Sequence, residues 1–108
     1  SLCNLIDVGF GMQYLRGYLD NAAQWLEPQI IFENNKEIHR LFFEPRGVVG
    51  VSVPWNYPFS NFVWGVFQNL IVGNTVVFKH SEQCPLTAQL IEDLMCSAQL
   101  PEGVFNVV

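Results

Sequence analysis

Gly47-Val-Val-Gly-Val-Ser-Val53 is a nearly continuous run of β-branched and small residues, and Pro54 stops it. It lacks polar alternation, so it is expected to be a strand buried on both faces of a parallel sheet. Further along, residues 59–72 carry Phe59, Phe62, Val63, Val66, Phe67, Leu70 and Ile71 at steps of three and four, the spacing of a buried helical face. Gly73-Asn74 marks a helix end or turn, and Thr75-Val-Val-Phe-Lys79 is a second short apolar strand. Pro85 suits the first turn of a second helix. That helix is expected over 86–98, with Leu86, Leu90, Leu94 and Met95 on one side and Glu92 and Asp93 exposed. Leu100-Pro-Glu-Gly103 breaks it, and residues 104–108 form a third strand. This strand–helix–strand–helix–strand order is a βαβαβ unit of the α/β class. Right-handed crossovers make its sheet parallel and place ligands at the carboxyl ends of the strands.

Upstream, Leu5, Val8, Met12, Leu15, Leu19, Ala22, Ala23 and Leu26 recur at helical spacing, as one helix or two broken near Gly9–Gly11, ending before Pro28. Two short edge strands around a turn follow over 29–41, the second extending over 38–44. The expected division is a helix and edge-strand segment, 1–43, before the βαβαβ segment, 44–108. The chain ends on the apolar run Gly103-Val-Phe-Asn-Val-Val108, which is read as a piece of a longer protein whose third strand lacks its neighbours. Unpaired edges of that kind favour self-association.

Composition narrows the function classes. Half of the 108 residues are hydrophobic and nine are Phe, which excludes a disordered chain. Ten acidic against five basic residues, for a net charge of −5, argue against nucleic acid as the main partner. The most apolar stretch, 59–72, is too short and too polar for a membrane span. Asp7 and the lack of a basic start argue against a signal peptide. Cys3, Cys84 and Cys96 form no disulfide framework, so a reduced, cytoplasmic setting is expected. His39 and His80 have no partner at metal-ligand spacing, and no metal site is expected.

Two polar clusters lie just past the strand ends: Pro54-Trp-Asn56 and Lys79-His-Ser-Glu82. The Asn56 amide can donate to an oxyanion without titrating, or can form an Asx turn or helix cap. Lys79 can reach a ribose hydroxyl or a phosphate, or can snorkel to solvent. Glu82 can accept from a ribose diol, or can cap the following helix. Cys84 and Cys96 are expected to pack rather than react. No GxGxxG fingerprint is present.

Glu44-Pro-Arg-Gly-Val-Val-Gly50, Pro54-Trp-Asn-Tyr-Pro-Phe59, Gly73-Asn-Thr-Val-Val-Phe-Lys79 with Ser81-Glu82, and Leu100-Pro-Glu-Gly-Val-Phe-Asn-Val-Val108 occur in this order. Together they resemble the NAD(P)-dependent aldehyde dehydrogenase superfamily. The resemblance implies a partial Rossmann-like domain from the cofactor-binding half, and oxidation of an aldehyde to a carboxylate with hydride transfer to NAD, with NADP possible. By resemblance, Asn56 is half of an oxyanion hole for a thiohemiacetal formed on a Cys outside this chain. By the same resemblance Ser52, Val53, Pro54 and Trp55 line the adenosine end of the cofactor, Lys79 and Glu82 hold its ribose, and Ser81 between them belongs to the cofactor-binding residues. A carboxylate at Glu82 favours NAD over NADP. The partners so implied are the aldehyde, the dinucleotide and further copies in a homo-oligomer. His80, where Pro is more common, hints at a semialdehyde-oxidising member. Gly65 stands where many members carry Lys or Arg. The 108 residues alone, lacking the nucleophile, are expected to be inactive. A non-catalytic nucleotide- or partner-binding module is the alternative from another class.

Overall fold

The computed structural model describes the chain from Leu2 onward, with side chains from Leu5, so the Cys3 thiol lies outside the described residues. The elements are α1 (Leu2–Trp25), β1 (Gln29–Glu33), β2 (Ile38–Leu41) and β3 (Val48–Ser52). A helical stretch follows, made of α2 (Pro58–Phe62), a π-helical turn (Val63–Phe67) and α3 (Gln68–Ile71). β4 (Thr75–Lys79), α4 (Pro85–Ser97) and β5 (Phe105–Val107) complete it. The three later strands form one sheet in the order β3-β4-β5, parallel at both pairings, as the βαβαβ pattern predicts.

The core explains which faces are covered. Phe62, Val63 and Val66 from the first crossover, Val76 and Phe78 from β4, and Ile91 and Met95 from α4 form one buried cluster. Both crossovers therefore pack on the same side of the sheet. The other side stays open, which corrects the expectation that β3 is buried on both faces. Val49 and Val51 are half-buried, while Val48, Gly50 and Ser52 are exposed. A run of valines records strand propensity, and an edge strand with one covered face satisfies it equally well.

Of the two readings of the first helix the structure has the single one: α1 runs unbroken through Gly9 and Gly11, and Gly11 lies against the Phe59 ring, where a Cβ would come within 2.7 Å. The expectation for α4 shifts. On α4 the covered stripe is Ile91 and Met95, four apart, with Ala88 half-buried a turn earlier. Leu86, Leu90 and Leu94 form a neighbouring stripe that is exposed. Cys96 is exposed rather than packed, and Cys84 is half-buried.

Local signals set the turns. The helical stretch ends in a Schellman motif: Gly73, at φ 89°, donates to the Leu70 carbonyl at 3.0 Å, and Asn74 N–H donates to the Asn69 carbonyl at 2.9 Å. The buried Asn74 side chain then does a second job. Its Oδ1 accepts from the backbone N–H groups of Arg46, at 2.6 Å, and Gly47, at 3.0 Å, fixing the entry to β3 against the start of β4. In the π-helical turn, the Gly65 carbonyl accepts from Asn69 Nδ2 at 2.7 Å. Gly65 faces β3, and a Cβ there would stand 2.5 Å from Val51 Cγ1. β1 and β2 pair antiparallel with every residue exposed, as a hairpin apart from the main sheet. The radius of gyration, 17.1 Å, exceeds the ~13 Å of a compact chain this long.

Candidate functional site

The carboxyl edge of the sheet brings the two polar clusters side by side. Ser52 stands opposite Lys79 in the β3–β4 register. One step on, the Val53 N–H donates to the Lys79 carbonyl at 3.1 Å. Both strands therefore release their chains at one level. The loops they release are tied again by the Cys84 thiol, which donates to the Trp55 carbonyl at 3.5 Å. Pro54, Trp55 and Asn56 are exposed there, and Val53 packs against the core.

The loop over 54–57 is anchored at its far end by a residue remote in sequence. Tyr57 lies in the left-handed region at φ 52° and precedes Pro58, but it offers no side-chain cap to α2. The cap comes from α1. Buried Asp7 accepts from the Phe59 N–H and the Ser60 N–H, each at 2.8 Å, through its two carboxylate oxygens. The Ser60 hydroxyl donates back to the Asp7 carbonyl at 2.7 Å. Asn56 is thus not the helix cap, and among the described residues no hydrogen bond engages its side-chain amide. Its backbone carbonyl accepts from Asn61 Nδ2. The amide stands on the exposed loop between β3 and α2 with both N–H groups available.

The second cluster has its own geometry. Lys79 Nζ lies 3.7 Å from Glu82 Oε2 and donates to the His80 carbonyl at 3.3 Å. Both side chains are more than half exposed, and an exposed ion pair adds little to the stability of a fold. The Glu82 carboxyl is held below its ordinary range, first by its own backbone N–H and then by the Lys79 charge. α4 is capped by neither Glu82 nor any other side chain. Ser81 Oγ accepts from the Gln83 N–H at 3.2 Å, closing a local turn. Lys79, His80, Ser81 and Glu82 line an open cleft of about 480 Å³, which Gln89, Glu92 and the end of β5 also border.

The structure thus gathers Lys79, Ser81 and Glu82 around one cleft. It places Ser52 at the end of β3 and Val53, Pro54, Trp55 and Asn56 on the loop that follows, outside that cleft's lining. Asp7, which positions this edge, was not singled out for that work from sequence, nor was Asn74, which ties the entries of β3 and β4 at the opposite edge. The signal for Asp7 was a missing one: Pro58 opens a helix with no Ser, Thr, Asp or Asn before it at the cap, so an acceptor has to come from elsewhere. Among the described residues no group of three His, Cys, Asp or Glu side chains is placed to hold a metal ion, and no helix is long and apolar enough to cross a membrane.

Residues 3–108 match the family model described as the aldehyde dehydrogenase family. The chain belongs to that family. A mitochondrial aldehyde dehydrogenase of Arabidopsis thaliana (family 2 member B4) is 46% identical over 96 residues, covering 89% of this chain and 17% of that protein. Among solved structures, a salicylaldehyde dehydrogenase from Pseudomonas putida G7 superposes with a TM-score of 0.89 at 30% identity, over 99% of this chain and 22% of its own. A succinic semialdehyde dehydrogenase from Streptococcus pyogenes, in complex with NADP+, gives a TM-score of 0.76 at 30% identity, over 84% of this chain and 20% of its own. The chain spans less than a quarter of the curated relatives it matches.

Proposed function

We propose that this chain is the part of an NAD(P)-dependent aldehyde dehydrogenase that holds the cofactor's adenosine ribose and presents one oxyanion donor. Residues 44–108 form the dinucleotide-binding unit and residues 1–43 its flank. The observation that carries the reading is the shared carboxyl edge: Val53 bonded to Lys79, with the Lys79–Glu82 pair beside the Pro54-Trp55-Asn56 loop. The pair suits a ribose diol, since an ammonium only donates and a carboxylate only accepts, and each hydroxyl does both. Ser52, Val53, Pro54 and Trp55 line the adenosine end, and Ser81 steadies the turn that carries Glu82. When bound, the nicotinamide accepts a hydride.

Asn56 acts at the other end of the chemistry. A thiolate from outside residues 1–108 adds to the aldehyde carbon, and the carbonyl oxygen takes up negative charge. The Asn56 amide donates to that oxygen from an anchored loop, so little reorganisation is needed as the charge develops. Water then releases the acyl group from the sulfur and restores the thiolate, so that overall aldehyde, water and oxidised cofactor give carboxylate and reduced cofactor. A semialdehyde substrate is a second version of this reading, supported by the S. pyogenes relative and by His80 after Lys79.

NAD is the favoured cofactor, because the Glu82 carboxylate repels a 2′-phosphate. Titration of NAD against the chain, followed by tryptophan fluorescence, tests the pair. Lys79→Ala and Glu82→Ala each weaken binding about ten-fold, the loss of a hydrogen bond to a charged group. Glu82→Gln raises NADP affinity relative to NAD, and an unchanged ratio would overturn the assignment of Glu82. Because the Glu82 carboxyl is held low, NAD affinity stays flat around neutral pH and falls only below the ordinary carboxylate range.

The same reading includes a homo-oligomer and a cytoplasmic location, although the Arabidopsis relative is mitochondrial by name. Ile30, Ile31, Phe32, Phe42 and Phe43 expose a large apolar area in and beside the hairpin. Light scattering is expected to give a mass above that of one chain, and a clean monomer would count against self-association.

A further inference from the structure

We propose that His80 is the positioning residue of the Lys79–Glu82 pair, acting as a neutral imidazole whose Nδ1 fixes the His80–Ser81 peptide at the start of the turn that carries Glu82. The proposal rests on the reading of that pair as the ribose holder. It begins with the alternation of β4, which continues one residue past the strand. Val76, Phe78 and His80 are buried toward the helices, while Lys79 is exposed. The imidazole is only 6% exposed and meets the Phe78 ring edge-on, with centroids 5.6 Å apart.

Held there, the ring accepts a hydrogen bond from the Ser81 N–H at Nδ1, at 2.7 Å. That bond requires an unprotonated Nδ1, so the neutral ring carries its proton on Nε2. Nε2 is buried and, among the described residues, has no hydrogen-bond partner. A buried donor without a partner is destabilising, and an apolar side chain would avoid it. What the imidazole gives in return is the hold on Ser81. From that residue hangs the whole turn, with Cys84 N–H donating to the Ser81 carbonyl at 3.0 Å and Gln83 N–H to its hydroxyl.

The same residue holds the other half of the pair, because its carbonyl accepts from Lys79 Nζ. His80 therefore sets where the ammonium rests and which way the Glu82 backbone points. Glu92 is the other titratable side chain lining the cleft.

Asparagine distinguishes this role from simple space-filling. Its Oδ1, like the imidazole Nδ1, is bonded to Cγ and can accept from Ser81, whereas leucine fills the space and accepts nothing. On the 108-residue chain, ¹⁵N signals of the imidazole report the tautomer, and the Glu82 carboxyl titration, followed by ¹³C, reports the pair. The expected result is an Nε2-protonated ring in the unsubstituted chain. Glu82 then titrates below the ordinary carboxylate range in that chain and in His80→Asn, and shifts up into that range in His80→Leu. A ring protonated at Nδ1, or a Glu82 titration that His80→Leu leaves unmoved, would overturn the proposal. NAD binding separates the underlying reading. If Glu82 follows His80 as expected but Lys79→Ala leaves NAD affinity unchanged, the ribose assignment fails and the positioning role stands.

Discussion

Phe62→Ala lowers the stability of the fold by about 3–5 kcal/mol, measured by urea denaturation followed by circular dichroism. Phe62 is fully buried and sits at the centre of an aromatic cluster. Its ring meets Phe78 and Phe105 edge-on, with centroids 5.5 Å and 6.0 Å away, and Phe67 at 5.4 Å. It is where the first crossover, the central strand and the last strand converge. Truncation leaves a cavity that rigid strand neighbours cannot close, against a total stability of about 5–15 kcal/mol for a typical domain. Leu86→Ala is the matched control. Leu86 is 75% exposed, so its truncation changes stability by no more than about 0.5 kcal/mol. A Leu86 effect as large as that of Phe62 would put the covered face of α4 on the wrong stripe.

Asp7→Ala destabilises by about 2–4 kcal/mol, because it strips the acceptor from the first-turn N–H groups of Phe59 and Ser60 and leaves them unsatisfied. Asp7→Asn recovers part of this, since its Oδ1 can serve one N–H group while its amide faces the other. Thermal melts of the two variants check the order. If Asp7→Ala melts with the unsubstituted chain, the helix carries its own cap and the contact from α1 is incidental. The effect extends to Asn56, because the loop that holds it is anchored at its far end by this same cap.

The parallel sheet was legible because its signals are local. Pro54, Gly73-Asn74 and Pro85 punctuate the chain where the elements end, and the hydrophobic period changes between them. The clustering of Lys79 with Glu82 was legible for the same reason, being three residues apart on one turn. The covered stripe of α4 was not. Leu86, Leu90 and Leu94 compete with Ile91 and Met95 as an apolar stripe, and periodicity cannot choose between two stripes when the sheet covers only one. The two faces of β3 were misjudged likewise, since valine content does not record on which side the crossovers return. Asp7 was read only as a charge near the start of the chain. Its hydrogen bonds span more than fifty residues, a distance over which sequence pattern says nothing. His80 was noticed as an unusual neighbour of Lys79, but its burial and its bond to Ser81 depend on the strand's facing.

The π-helical turn at Val63–Phe67 also constrains chain length. It holds one residue more than an α-helical turn closing the same gap, and each residue of an α-helix advances the rotation by about 100°. Deleting one residue there, so that the turn becomes α-helical, would close the same gap and leave Pro58–Phe62 in phase with Gln68–Ile71. The same deletion within Gln68–Ile71 would instead rotate everything before it by roughly 100°. Phe62 would then leave the aromatic cluster, and Phe59 and Ser60 would turn away from Asp7. The spare residue of the segment between β3 and β4 is therefore held at Val63–Phe67, and the turns on either side have none to give.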